Sequence, residues 1–176
     1  EFNRSAIRYI QSKFTYPVAY GLVQDLKFEG TFEVISLFDV IEHLSDPLGT
    51  LRRLRELIAP EGVCAILTMD CGSFMSRLIG KRLEDFRRTR EHLFFFDRRT
   101  LARALAETGW EVVDIRFIGH TFQMRDLIKR AAVYGRWIEK LAHALLRPRW
   151  LLEANVYINP GTKMMVYARP RPGWTG

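Results

Sequence analysis

The stretch Phe32-Glu33-Val34-Ile35-Ser36-Leu37-Phe38-Asp39-Val40-Ile41-Glu42-His43-Leu44-Ser45-Asp46-Pro47 decides the fold class. Phe32 to Phe38 is a short, largely apolar run with β-branched residues. Such a run reads as a strand covered on both faces, which is the habit of parallel sheets. Ser45-Asp46-Pro47 is a helix start: a capping side chain, then a proline where the missing N–H does no harm. Between them lie two carboxylates and a histidine within five residues, Asp39, Glu42 and His43. The unit is therefore strand, chemically loaded loop, helix.

Downstream, Leu48, Leu51, Leu54 and Ile58 follow at helical spacing, with Arg52, Arg53, Arg55 and Glu56 on the other face. Pro60 and Gly62 stop that helix, and Val63 to Leu67 reads as the next buried strand. Ser73 starts a short helix to Gly80, and Asp97 caps a clearer one that turns Leu101 and Leu105 inward and ends at Gly109. From Trp110 to Ile118, Val113, Ile115 and Phe117 alternate with Asp114 and Arg116, so this strand is expected near a sheet edge. Upstream, Asn3 caps a helix to about Phe14, and Pro17 to Tyr20 reads as a short strand ended by Gly21. Thr162 to Arg169 reads as a last strand before a Pro- and Gly-containing tail. Alternating strands and helices predict a doubly wound α/β sheet, whose ligands sit outside the carboxyl ends of the strands.

Composition agrees with one globular domain: 176 residues, 48% of them hydrophobic. No apolar run reaches the roughly 18 to 20 residues a membrane-spanning helix needs. The first residues, Glu1 to Arg4, show no signal-peptide pattern, and Cys64 and Cys71 lack metal-ligand spacing. A reducing, cytoplasmic setting without disulfides is expected. The net charge of +7 suits an anionic partner without choosing among nucleic acid, membrane surface and phosphorylated substrate.

Three segments fall where such a sheet binds ligands: residues 39–44, residues 68–73 and Arg90-Glu91-His92-Leu93-Phe94-Phe95-Phe96. The first and third carry a family resemblance. Phe38-Asp39-Val40-Ile41-Glu42-His43-Leu44 with Ser45-Asp46-Pro47, then Leu51, Leu54, Leu57 and Pro60-Glu61-Gly62-Val63, resembles class I S-adenosylmethionine-dependent methyltransferases. Glu91-His92-Leu93-Phe94-Phe95-Phe96 and Gly109-Trp110-Glu111-Val112-Val113 resemble the same group.

The resemblance implies a Rossmann-like, mainly parallel sheet with an antiparallel last strand, and S-adenosylmethionine as cofactor. It implies ribose contact at Glu1, with Phe2 beside it. It puts adenine near Leu22, Val23 and Asp25, with Phe38 and Asp39 beneath. Many relatives place an acidic residue where this chain has Leu22 and Val23. The first strand and glycine-rich loop of the family have no counterpart, since the 12 glycines form no G-x-G cluster. The fold is thus expected to be N-terminally incomplete. The 176-residue chain by itself is expected to bind the cofactor weakly, which titration calorimetry checks.

Small-RNA 2′-O-methyltransferases and ubiquinone-pathway O-methyltransferases place a similar acidic-x-x-Glu-His segment and a later histidine around a divalent metal. Asp39, Glu42, His43 and His92 are similar in type and placement. Three roles stay open for His43 here: metal ligand, general base or substrate contact, and structural histidine. The catalytic candidates are Glu42, His43 and His92.

Residues 121–152 hold seven cations and two anions, +5 of the chain's +7, interleaved with apolar residues that include Tyr134, Trp137 and Trp150. The expected organisation is a core at 1–120, a basic helical lid at 121–160, a last core strand at 161–169 and a tail at 170–176. The lid would cover the mouth of the site and suits an anionic lipid, a lipid- or sugar-linked acceptor or an anionic membrane surface, and less well RNA. Methylation of a small or lipid- or sugar-linked acceptor, at oxygen, is the leading function. A non-catalytic scaffold and an RNA methyltransferase are the alternatives, the last with steep salt dependence of binding.

Overall fold

The structure is a computed structural model that describes residues 3–87, 90–131 and 149–174. The expected ribose contacts Glu1 and Phe2 lie outside the described residues, as does most of the expected lid.

Helix α1 (Arg4–Lys13) is capped by Asn3, whose side chain accepts from the N–H groups of Ser5 and Ala6. Strand β1 (Phe32–Phe38) leads through a single 3-10 turn at Ile41–His43 to α2 (Pro47–Leu57). Asp46 caps α2 with Pro47 in its first turn. Strand β2 (Ile58–Met69) begins directly after α2, so Ile58 belongs to the strand and not to the helix. The proline at 60 explains the early stop, because it disfavours helical backbone at the residue before it. Then come α3 (Phe74–Ile79), α4 (Glu84–Arg87) and α5 (Arg98–Glu107), the last with a capping box between Asp97 and Thr100. Strand β3 (Trp110–Phe117) and strand β4 (His120–Gln123) precede α6 (Met124–Ala131). A short helix α7 (Arg149–Leu152) and strands β5 (Asn155–Ile158) and β6 (Lys163–Pro170) follow.

The main sheet runs β1-β2-β6-β3. β1 and β2 are parallel, and β6 is antiparallel to both β2 and β3. The last strand thus inserts antiparallel between two strands of common direction, as the family resemblance implies. α2 and α5 cover one face. Leu51, Leu54, Leu101 and Leu105 meet Leu37, Ile66, Met164 and Val166 there. Trp110 closes this core, its indole N–H donating to the Leu51 carbonyl at 3.0 Å.

Three expectations need correction. Residues 17–20 form no strand, and Pro17 has no N–H to give to a ladder. Among the described residues β1 is covered on one face and is an edge strand of this sheet, with Ile35 and Leu37 turned to the core and Val34 68% exposed on the other side. β3 does lie at an edge, but its inward residues are Trp110, Val112 and Ile115. A register shift between Val112 and Asp114 leaves Val113 unpaired and outward, which resets the alternation.

Of the expected lid, β4 and β5 form a separate two-stranded antiparallel sheet, with α6 and α7 between them in sequence. Residues 132–148, with Tyr134 and Trp137, lie outside the described residues. No described helix is long and apolar enough to cross a membrane.

Gly109 ends α5 at φ +83, and a Cβ there would stand 2.6 Å from the Trp174 ring. Gly109→Ala is expected to destabilise by about 1–2 kcal/mol from the left-handed backbone alone, and further through the displaced indole. Chemical denaturation of wild type and variant checks this.

Both cysteines are free thiols. Burial in β2 pushes the Cys64 thiol up to about 12 from its ordinary 9.0. Cys71 is also raised, by burial first and then by the charges of Asp97 and Asp70. In the native protein at pH 8, a thiol-specific reagent is expected to leave Cys64 untouched and modify Cys71 slowly, both reacting at once in denaturant. The folded Cys64 keeps its proton where the unfolded thiol has lost it. Its contribution to stability is therefore intact below about pH 9 and is lost as the pH climbs towards 12.

Candidate active site

The carboxyl ends of β1 and β2 and the start of β6 share one edge of the sheet, because Phe38 pairs with Leu67 and Met69 with Lys163. There the chain leaves β1 through Asp39 at φ +53, a left-handed conformation uncommon outside glycine. Its N–H extends the ladder by donating to the Leu67 carbonyl at 2.9 Å. Its carboxylate takes a 2.6 Å ion pair from the Lys163 ammonium.

The 3-10 turn is then anchored by Ile41, which is fully buried. This anchor turns Glu42 inward, where its carboxylate accepts from the Thr68 hydroxyl at 3.0 Å, and leaves His43 exposed. The 90–96 segment is stitched onto the same turn. The N–H groups of Leu93 and Phe94 donate to the Glu42 carbonyl at 2.8 and 3.1 Å. The stitch brings His92, buried, against His43 with ring centroids 4.7 Å apart at 73°. A carboxylate oxygen of Glu42 and one ring nitrogen of each histidine lie within 4.8 Å of one another.

His43 Nδ1 sits 2.8 Å from the Glu91 carbonyl oxygen. A carbonyl only accepts, so Nδ1 carries a proton, and in the neutral ring Nε2 is the nitrogen with the lone pair. The arrangement offers a base, or an imidazole ligand whose other nitrogen is fixed by a backbone carbonyl, the usual support for a metal-binding histidine.

Glu42, His43 and His92 therefore converge as expected. Asp39 does not join them: Lys163 holds its carboxylate, and the left-handed turn separates it from the cluster. A cleft of about 620 Å³ opens beside His43 and is lined by Leu22, Val23, Ile35, Asp39 and Leu44 among others. The expected cofactor contacts Leu22, Val23 and Asp39 thus share one cavity. Asp25, exposed, and Phe38, on the outward face of β1, stand outside its lining.

The profile of a methyltransferase domain family fits residues 8–115, well over half of the chain. The chain belongs to the methyltransferase domain family. The ubiquinone biosynthesis O-methyltransferase of Cereibacter sphaeroides is 36% identical to it over 73 residues. That match takes in 40% of this chain and 30% of the enzyme's length. An S-adenosylmethionine-dependent methyltransferase from Thermotoga maritima superposes with TM-score 0.61 at 14% identity, over 97% of this chain and 72% of the other. The YcgJ protein of Bacillus subtilis gives TM-score 0.56 at 13% identity, over 96% and 77%. The [4+2]-cyclase SpnF gives TM-score 0.54 at 13% identity, over 96% and 62%. A cyclase in this company shows that the fold alone does not name the reaction, so the site must.

Two residues of the candidate site had no role assigned from the sequence. Thr68 stands in the 68–73 segment expected at the strand ends, and only its position opposite the turn gives it Glu42. Lys163 opens the last strand. Because β6 is antiparallel, its first residue, not its last, reaches the ligand edge. The antiparallel expectation already contained that signal.

Proposed function

We propose that this methyltransferase domain, within the complete protein, transfers a methyl group from S-adenosylmethionine to a hydroxyl oxygen of a small or lipid- or sugar-linked acceptor. The observation that supports this most is the tie of His43 Nδ1 to the Glu91 carbonyl at 2.8 Å while His43 lines the cleft, an arrangement in which the neutral ring has Nε2 as its basic nitrogen. Bound there, S-adenosylmethionine supplies an activated methyl on a sulfonium and leaves as a neutral thioether. The cleft suits such a ligand. Its volume falls in the usual range of about 300–1,000 Å³, and apolar Leu22 and Val23 offer a purine packing surface, with Asp39 for polar groups. Lys163 compensates the Asp39 charge.

His43 takes the acceptor's proton as its oxygen bonds to the methyl carbon. Glu42 and His92, packed against His43, hold the imidazole and share the charge that it gains. Oxygen as acceptor atom is supported by the name of the Cereibacter relative.

One observation favours a second reading of the same cluster. One carboxylate and two imidazoles form a donor set that suits a borderline divalent ion, which would lower the pKa of the acceptor hydroxyl. The test uses the full-length protein with methyl-labelled S-adenosylmethionine and a panel of phenolic, lipid and sugar-linked acceptors. Label in an ether product supports the reading. Binding of the cofactor without transfer to any acceptor would turn it towards a scaffold role.

A further inference from the structure

Helix α3 is built inside out. Its inner face is polar: Ser73 and Ser76 are buried, their hydroxyls bonded at 2.9 Å, and Ser76 Oγ donates to the Asp70 carbonyl at 2.7 Å. The Ser73 hydroxyl also caps the helix on the Ser76 N–H. Asp70 itself is fully buried, receives the Gly72 N–H and lies 3.4 Å from Arg98. This inner network fixes the rotation of the helix. Phe74 and Leu78, one turn apart, are consequently forced outward, 77% and 67% exposed.

Solvent gains nothing from such an orientation. A helix facing water only would carry its serines outside and its phenylalanine inside. The apolar surface also continues towards the active site. The backbone N–H of Cys71 donates to the Phe96 carbonyl, Phe86 and Phe95 pack at 5.5 Å, and Phe95 lies 6.0 Å from His92. Leu93, Phe94 and Phe95 are exposed beside it. In sequence the stretch 77–90 carries six cations and two anions, and Arg77, Lys81, Arg82, Arg87 and Arg90 are exposed along it.

We infer that this face, Phe74 and Leu78 with their basic surround, docks on an anionic lipid surface and so sets the mouth of the histidine site against the bilayer. Charge decides the occupant. Cations around an apolar patch repel a second copy of the same patch and attract anionic headgroups, and buried aromatic and leucine side chains with flanking Lys and Arg are the pattern of interfacial binding. Its residues are separate in sequence from the basic 121–152 segment. The docking itself does not rest on methyl transfer; only the corollary, that the acceptor is drawn from the membrane, does.

The experiment is flotation of the full-length protein with vesicles of phosphatidylcholine mixed with anionic phosphatidylglycerol, against pure phosphatidylcholine. Wild type is expected to float with the anionic vesicles only, and less at high salt. F74S/L78S is expected to lose at least about tenfold in partitioning, with unchanged melting temperature, since both side chains are exposed. K81E/R82E is expected to lose binding while keeping the apolar pair. Wild type remaining in solution, or F74S/L78S floating as well as wild type, overturns the proposal. So does sedimentation showing that F74S/L78S abolishes self-association instead. None of these readouts involves turnover, so failure here leaves the methyl-transfer reading standing, and the reverse.

Discussion

Full-length protein carrying His43→Asn is expected to turn over about 10²- to 10⁴-fold more slowly than wild type while binding S-adenosylmethionine equally well. Asparagine is the informative replacement. Its amide N–H can still reach the Glu91 carbonyl, which the imidazole contacts at 2.8 Å, so the turn keeps its tie. What it removes is the Nε2 lone pair. His43→Gln, whose amide reaches instead to the Nε2 position, should be equally slow, because an amide is no base. Turnover under a chelator separates the two readings of the cluster. Loss restored by Mn²⁺ or Zn²⁺ marks a metal, and indifference marks a base. Wild-type turnover by His43→Asn would remove the residue from the reaction altogether.

The second large effect is on stability. Trp110→Ala is expected to cost about 3–5 kcal/mol. The indole is 1% exposed, and its N–H is the partner of the Leu51 carbonyl. Removing it opens a void between α2, α5 and β3 and cancels that hydrogen bond. Domains of this kind hold about 5–15 kcal/mol in all, so the variant should sit near the edge of folding. Trp110→Phe keeps most of the volume and loses the N–H. A cost of only about 1 kcal/mol there would assign the larger share to packing. Denaturant titration followed by circular dichroism reads both.

Much of the fold could be read from the residues because it rests on local signals. Asp46-Pro47 and Asp97 mark helix starts, and the structure caps α2 and α5 with those side chains. The turn 39–43 and the 90–96 segment were legible as chemistry, since two carboxylates and a histidine follow a strand and a second histidine precedes a capped helix. Their meeting was not derivable from spacing alone, because it depends on hydrogen bonds between residues some fifty positions apart. The misreadings have physical causes. Val113 follows the alternation of β3 in the sequence, but one extra residue reverses which side chains face in. Asp39 looks like a fourth member of the acidic-histidine cluster until Lys163, 124 residues away, is seen to hold it. Residues 17–20 are strand-like in composition, but Pro17 has no N–H to give to a ladder.

The carbonyl of Glu42 accepts two amide protons, from Leu93 and Phe94. These two amides are therefore a gauge of the site that needs no substrate. While both bonds hold, His92 stays beside His43; when they break, the segment carrying His92 is free to leave. Their rates of hydrogen–deuterium exchange, compared with those of the core amides in β2 and β6, would measure how much of the time the two halves of the cluster are assembled. Anything that tightens the site, whether cofactor, metal ion or acceptor, should slow these two amides together and leave the far end of the sheet unchanged.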